Sequence, residues 1–439
     1  MELATGGALA VFTVGMAVLF FTLLLLSVTV LVLVERKVAG FIQDRSGPNR
    51  VGPWGLLQTI ADGLKFLLKE ETAPEEANLG FFLLAPALAL VPATVLFAVM
   101  PFAAPMPTPW GLVEVVVADV PVGFLYVLAV ASLGVYGIVL AGWSSGSKYP
   151  LLGGLRGSAQ MISYEIGLAL SLVPIVLLAG DVRLPELVSM QQGFGGAAPA
   201  TYGTWFLVPL GMGLFFFAVA GLAEANRLPF DLPEAEAELI GGYHTEYSAM
   251  KFGMFFLGEY AHLLTTAGLV TIFFLGGWDI PFWSGDNIRI LEDGTVVGDP
   301  AVWKTLLTFG SFVVKTGLVV LVMIWIRWTL PRFRYDQLME MGWKFFIEAV
   351  TVYILVIALA ILLLDGAGWE PGLAYAGVLG ALNVVLGVLF LFVIDRGRLF
   401  RGAYREPGRR VAASGRGPDH GSVDDASGAE VETPEAAGV

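Results

Sequence analysis

Long apolar stretches alternate with short polar connections along this chain. Nine such stretches stand out, at about 8–34, 80–103, 117–142, 157–179, 203–224, 252–276, 305–330, 343–364 and 372–394. A helix of twenty or so apolar residues, rising about 1.5 Å per residue, crosses a hydrocarbon core about 30 Å thick. The runs are continuous and not short and alternating, which argues against a β-barrel. The pattern therefore predicts an all-α polytopic membrane protein with about nine transmembrane helices. The first run ends in Glu35-Arg36-Lys37 without a small-residue cleavage site, so it is expected as a retained helix and not a signal peptide.

One connection has a periodicity of its own. After the turn residues Gly47-Pro48-Asn49 and Gly52-Pro53, the stretch from Trp54 to Glu70 places Leu56, Leu57, Ile60, Leu64, Leu67 and Leu68 on one stripe. Gln58, Asp62, Lys65 and Lys69 fall on other faces. Too polar on one side to cross, this helix should lie in the interface plane. It could be a simple surface anchor, or the rim of an opening through which a lipid-soluble ligand enters sideways.

Charge then orients the bundle. Of the 25 Lys and Arg, only Arg183, Arg289, Lys304 and Lys315 lie outside the connections after runs 1, 3, 5 and 7 and the C-terminal tail. The other 21 put those connections in the cytoplasm and the N-terminus outside. The tail from about 401 is rich in small and acidic residues, cannot bury enough surface to offset ordering, and is expected to be disordered in the cytoplasm. The net charge of −13 is partly a property of that tail and gives no reason to expect nucleic-acid binding. Composition adds an exclusion. With no cysteine and three histidines, the chain cannot hold an iron–sulfur cluster and offers no haem or His-rich metal centre, so redox chemistry would need a diffusible ligand or a partner.

Carboxylates inside apolar runs are costly and usually mark a pair or a pathway. Glu165, Glu259 and Glu348 sit roughly 8–12 Å inside the cytoplasmic boundary by helical rise. Glu35 and Glu224 close their runs on the same side. Five helices thus offer acids at one level, which predicts a shared hydrated cavity. For any single acid, an ion pair with Arg36, Arg227 or Arg327 is an equally good reading. His262 shares a face with Glu259. The loop after run 5 adds Glu234, Glu236, Glu238 and Glu246. There Asp231 and Pro233 look like a helix start, and Gly241-Gly242 like its end. Glu114 and Asp119 are expected at the opposite interface, and Lys315, deep in run 7, needs a partner.

Three segments carry a resemblance: ERKVAGFIQDRSGPNRVGPWGLLQTIADGLKFL (35–67), YGIVLAGWSSGSKYPLLGGLRGSAQMISYEI (136–166) and AEANRLPFDLPEAEAELIGGYHTEYSAMKFGMFFLGEYA (223–261). They resemble the H-type membrane component of bacterial proton-pumping NADH:quinone oxidoreductase, respiratory complex I, whose mitochondrial equivalent is subunit 1. The resemblance, with the span pattern, covers about 1–365. It implies a component of the inner membrane that forms the lipid side of a quinone tunnel and starts an acidic chain toward antiporter-like subunits. By that resemblance Arg36, Arg45, Trp54, Asp62 and Phe230 look like tunnel wall and entrance. Glu35, Glu165, Glu224, Glu234, Glu236, Glu238, Glu246 and Glu259 look like the acidic proton network. Quinone (ubiquinone or menaquinone) would be the substrate, with FMN and the iron–sulfur clusters in partner subunits. Segments 37–53 and 225–251 would meet the soluble subunits that hold the quinone head-group site and terminal cluster, and small membrane subunits would adjoin the bundle. The family core ends after eight spans, so 366–400 is expected as an additional C-terminal helix and 401–439 as the tail. Two rivals stay open at this point: the equivalent component of a membrane-bound hydrogenase or of a quinone reductase fed by another donor, and an independent secondary transporter.

Overall fold

A computed structural model describes residues 7–395, except 110, 195–201, 234–240 and 291–295. Contacts divide the chain into residues 1–391, which contain the bundle, and a unit from Phe392 onward whose residues beyond 395 are outside the description. Eight described helices are long and apolar enough to cross a membrane. In chain order the elements are α1 (Gly7–Ile42), α2 (Gln58–Leu68), α3 (Leu79–Leu96), a β1–β2 hairpin (Ala103–Thr108, Gly111–Val115), α4 (Gly123–Ser144), α5 (Lys148–Ala179), α6 (Leu184–Gln191) and α7 (Gly211–Glu224). There follow α8 (Ala249–Phe274), a minimal β3–β4 pair (Arg289–Ile290, Val296–Val297), α9 (Val302–Thr329), α10 (Tyr335–Glu340), a π turn over Met341–Phe346, α11 (Ile347–Gly366) and α12 (Leu373–Asp395).

The span of lowest hydropathy is also the most buried. The α8 span has a mean hydropathy of only 1.2 yet is 72% buried, whereas the α10–α11 span reaches 2.8 and is 17% buried. A helix facing lipid must be apolar all round, while a helix packed among protein can hold Glu259, His262, Thr265 and Thr271. Close packing around it uses small residues. A Cβ on Gly137 of α4 would stand 2.7 Å from Ala89 N of α3, and one on Gly142 would stand 2.5 Å from Pro150 O of α5, so both helices approach backbone to backbone.

Two sequence expectations change. The run at 203–224 is helical only over Gly211–Glu224, the residues before it forming turns. Pro209 explains the break, since a proline disfavours helical backbone in the residue before it and donates no N–H. Asn383 of α12 repairs the exposed backbone: its Nδ2 donates to Pro209 O (2.5 Å) and its Oδ1 accepts from Met212 N (3.1 Å) and the Tyr353 hydroxyl (3.0 Å). The second difference is the β1–β2 hairpin, which pairs antiparallel with an irregular register between Ala103 and Met106. Apart from Ala103 it lies in the connection between the runs at 80–103 and 117–142, for which the pattern predicts no strand.

A charged knot beside the interfacial helix

The candidate residues converge where α1 ends. Glu35 and Arg36 are adjacent, and successive helical positions point about 100° apart. The two therefore serve different neighbours. Arg36 pairs with Asp62 of α2 at 2.5 Å, and Asp62 also accepts from Gln58 at 3.2 Å. The Phe66 ring lies against Phe252 of α8 at 5.9 Å. These contacts pin α2 on α1 and α8. Its stripe remains outward: Ile60, Leu64, Leu67 and Leu68 are all exposed, as expected of an interfacial helix.

Glu35 turns inward instead. Its oxygens accept from Arg227 Nη1 at 2.9 and 3.0 Å, and Arg327 of α9 pairs with the same carboxylate. Arg227 Nε lies 2.5 Å from Glu259 Oε1 of α8, and its guanidinium stacks 4.2 Å from the Tyr260 ring centroid. Four helices or their ends thus contribute to a largely buried set of two carboxylates and two guanidiniums. Buried charges of this kind persist because each has a partner. The ion-pair reading holds for Arg227 and Arg327, while Arg36 serves Asp62.

The loop that carries Arg227 is held by a residue that no sequence motif singles out. Gln160 of α5 is fully buried, and its Nε2 donates to Ala223 O (2.9 Å) and Phe230 O (2.7 Å). A glutamine inside an apolar run is the available signal. Phe230 is buried between Tyr164 (5.2 Å) and Phe333 (5.7 Å), so it acts here as a wedge under the loop.

Next to the knot lies a second pair of acids without such partners. Glu224 is buried at the end of α7, and half-buried Glu165 of α5 is close enough for their charges to interact. Among the described residues neither pairs with a Lys or Arg. Glu224, Glu259, Asn226 and His262 line a cavity of about 50 Å³ together with small residues of α3 and α4 such as Ala89, Ala93 and Gly134 and the larger Met161, Tyr243 and Phe255. His262 Nε2 stands 3.4 Å from Glu224 Oε1.

Other predicted residues stand apart. Arg45 contacts its neighbour Gln43 at 2.6 Å, and Trp54 is 78% exposed beside the turn. Glu246 is half-buried just before α8 and joins none of these ion pairs among the described residues. Glu348 is exposed on α11 and does not share the cavity. Glu234, Glu236 and Glu238 lie outside the described residues. Nearby, burial holds the His244 imidazole down at about 4, so it is neutral near pH 7.

At the opposite face, Asp119 pairs with Arg183, and burial followed by the Asp119 charge raises the Glu114 carboxyl. Lys315 finds its partners in backbone. Its Nζ donates to Leu275 O (2.6 Å), Gly277 O (3.1 Å) and Asp279 O (2.5 Å), and it lies 4.1 Å from the Trp205 ring centroid. Among the described residues no cluster of His, Asp or Glu suits a metal ion.

Comparison with known proteins fits this architecture. The family model described as NADH dehydrogenase matches residues 15–358. The chain is 46% identical over 350 residues to the first H-type NADH-quinone oxidoreductase subunit of Geobacter metallireducens, covering 79% of this chain and 95% of that protein. It is 45% identical over 348 residues to the second H-type subunit of the same enzyme in Geobacter sulfurreducens, with the same coverages. Against the H-type NADH-quinone oxidoreductase subunit of Magnetococcus marinus it is 44% identical over 344 residues, covering 78% and 90%. The chain belongs to the NADH dehydrogenase family of membrane proteins that includes these H-type subunits.

Proposed function

We propose that this chain is the membrane component of a proton-translocating NADH:quinone oxidoreductase that walls the lipid side of a quinone tunnel and couples quinone reduction to an acidic network. One observation carries the reading: Glu35 and Arg36, adjacent on α1, tie the charged knot to the interfacial helix α2. A quinone entering beside α2 passes the Arg36–Asp62 pair. A displacement of that pair reaches Glu35 through the one helix both residues share. The redox centres, FMN and iron–sulfur clusters, belong to soluble partner subunits, and this chain contributes the apolar wall and the responsive charges.

The chemistry follows from charge balance. Reduction of quinone by two electrons consumes two protons and transiently places negative charge near the head group. Negative charge near Glu35 competes with it for Arg227 and Arg327. A guanidinium drawn from Glu35 or Glu259 leaves a buried carboxylate that must take up a proton. Glu224 and Glu165 are placed to supply it and to pass the change onward to neighbouring membrane subunits. In this reading the Arg-rich connections face the cytoplasm, the membrane is the bacterial inner membrane, and Arg45, Trp54 and the 225–251 loop with Glu234, Glu236, Glu238 and Glu246 meet the soluble arm.

The test uses the assembled complex in sealed vesicles, with rates normalised to NADH oxidation by an artificial acceptor. Glu224→Gln and Glu259→Gln should each lower quinone reduction and proton translocation by about 10- to 100-fold, a part of what positioned acid–base groups contribute. Wild-type pumping in both variants would exclude the network.

A further inference from the structure

Three features that the proposed machinery leaves without a role invite a function: the Lys315 cluster, an apolar groove between α7, α8 and α9, and His262 with the small cavity it shares with Glu224 and Glu259. Lys315 is fully satisfied by backbone carbonyls, and nothing shows what covers the groove. The cavity goes further.

We propose that His262 is a proton-transfer residue, taking a proton from Glu224 and passing it through water in the adjoining cavity to Glu259. The inference rests on the acidic network proposed above and gives two of its members a connection.

Three independent observations support it. First, His262 lies one helical turn after Glu259 on α8, so their side chains leave the same face. Both line the cavity. Second, Nε2 is buried and makes no hydrogen bond, although Glu224 Oε1 stands 3.4 Å away. A buried ring nitrogen without a partner is costly, and a water in the cavity would satisfy it. Third, about 50 Å³ is room for two or three waters, and the cavity offers them Glu224, Asn226, Glu259 and His262 as polar partners. Small residues of α3 and α4, Ala89, Ala93, Ala131 and Gly134, line it as well and leave room there.

The step balances as follows. Nε2 of the neutral imidazole accepts the proton of the Glu224 carboxylic acid, giving an imidazolium beside a carboxylate. The imidazolium returns that proton from Nε2 to a cavity water, which delivers one of its own to the Glu259 carboxylate as Arg227 shifts toward Glu35. The imidazole ends neutral, Glu224 ionised and Glu259 protonated, and the net charge of the group is unchanged. The charged groups facing His262 through this exchange are Glu224 on α7, Glu259 on its own helix and, behind Glu259, Arg227 and Glu35. Without an imidazole between them, transfer would need a continuous water chain and should be slower.

The experiment is chemical rescue in the assembled complex in sealed vesicles. His262→Gly should lower proton translocation and coupled quinone reduction by about 10-fold or more, and added imidazole, which fits the enlarged cavity, should restore most of the loss while leaving wild type unchanged. Failure of imidazole to restore an impaired His262→Gly complex would assign His262 a packing role and overturn the proposal, as would wild-type pumping in that variant. If His262→Gly does not assemble, His262→Gln decides: a pH profile of pumping identical to wild type overturns the proposal, and a flattened one supports it. Glu224→Gln run in parallel separates the two levels. Wild-type behaviour there and in Glu259→Gln removes the network itself, whereas an impaired Glu224→Gln beside a fully active His262→Gly removes only the histidine step.

Discussion

Buried charge occurs at both ends of this bundle, and the two ends treat it differently. Lys315, near the hairpin face, donates three hydrogen bonds to carbonyls at the end of α8, packs on Trp205 and has no free valence. It serves as a C-terminal cap delivered from another helix, compensating carbonyls that have no intrahelical partner. The knot at the other end holds Arg227 between two carboxylates, and it borders on two acids that have no Lys or Arg partner among the described residues, an imidazole nitrogen without a hydrogen bond and a water-sized cavity. Burial of a charge alone therefore does not indicate a working site. Incomplete satisfaction next to space for water is the better sign.

The comparison breaks most visibly at Arg227. Arg227→Met should remove the shared partner of Glu35 and Glu259 and leave Glu259 buried and unpaired, a change that costs about 3–5 kcal/mol. The expected outcome is loss of assembled complex, read as the yield of purified enzyme and its unfolding midpoint in detergent. A variant that assembles and pumps normally would show that the knot is not the organising pair. Lys315→Met sharpens the contrast from the other side. It leaves the Leu275 and Gly277 carbonyls unsatisfied, Asp279 O keeping the Ser311 hydroxyl, and should destabilise by about 2–3 kcal/mol. The protons translocated per quinone reduced by the surviving complex should not change. A changed ratio would make Lys315 part of the pathway and dissolve the distinction between the two ends.

How far the sequence reveals these regions depends on what kind of partner each residue finds. The spans are legible because lipid demands continuous apolar surface, and α2 is legible because an interface demands a stripe. The level of Glu35, Glu224 and Glu259 follows from counting residues along helices. Partners across the bundle do not follow. Glu348 has the right depth but the wrong face of α11, and depth cannot show a face. Arg36 and Arg327 look equivalent as partners for the acids, yet a rotation of one residue along α1 sends Arg36 to Asp62. Lys315 resists interpretation from sequence because its partners are main-chain oxygens, which every residue carries. The break before α7 has one cue, Pro209, inside an otherwise unbroken apolar run, and its repair by Asn383 comes from 174 residues away.

The smallest expected effect lies beside Lys315 and depends on pH. Asp286 is fully buried; Ile280 N donates to its Oδ2 at 2.6 Å, and Oδ1 accepts no hydrogen bond. Burial, reinforced by the Asp279 charge, pushes its carboxyl up from 3.8 to about 6. A raised carboxylate means the folded chain holds the proton more tightly than the unfolded one. Stability is thus lost as pH rises from about 4 through about 6, and the penalty is complete above that. About two units correspond to at most about 3 kcal/mol, and relaxation around the carboxylate brings the expected figure nearer to about 1–2 kcal/mol. Asp286→Asn removes the ionisation. The variant should unfold at a higher temperature than wild type at about pH 8, with the advantage shrinking to nothing at about pH 4. An advantage that is constant with pH would mean that the asparagine merely packs better. A loss at the higher pH would mean that the ionised Asp286 is held by Lys315 strongly enough to outweigh its desolvation, and the hairpin end would then store charge much as the knot does.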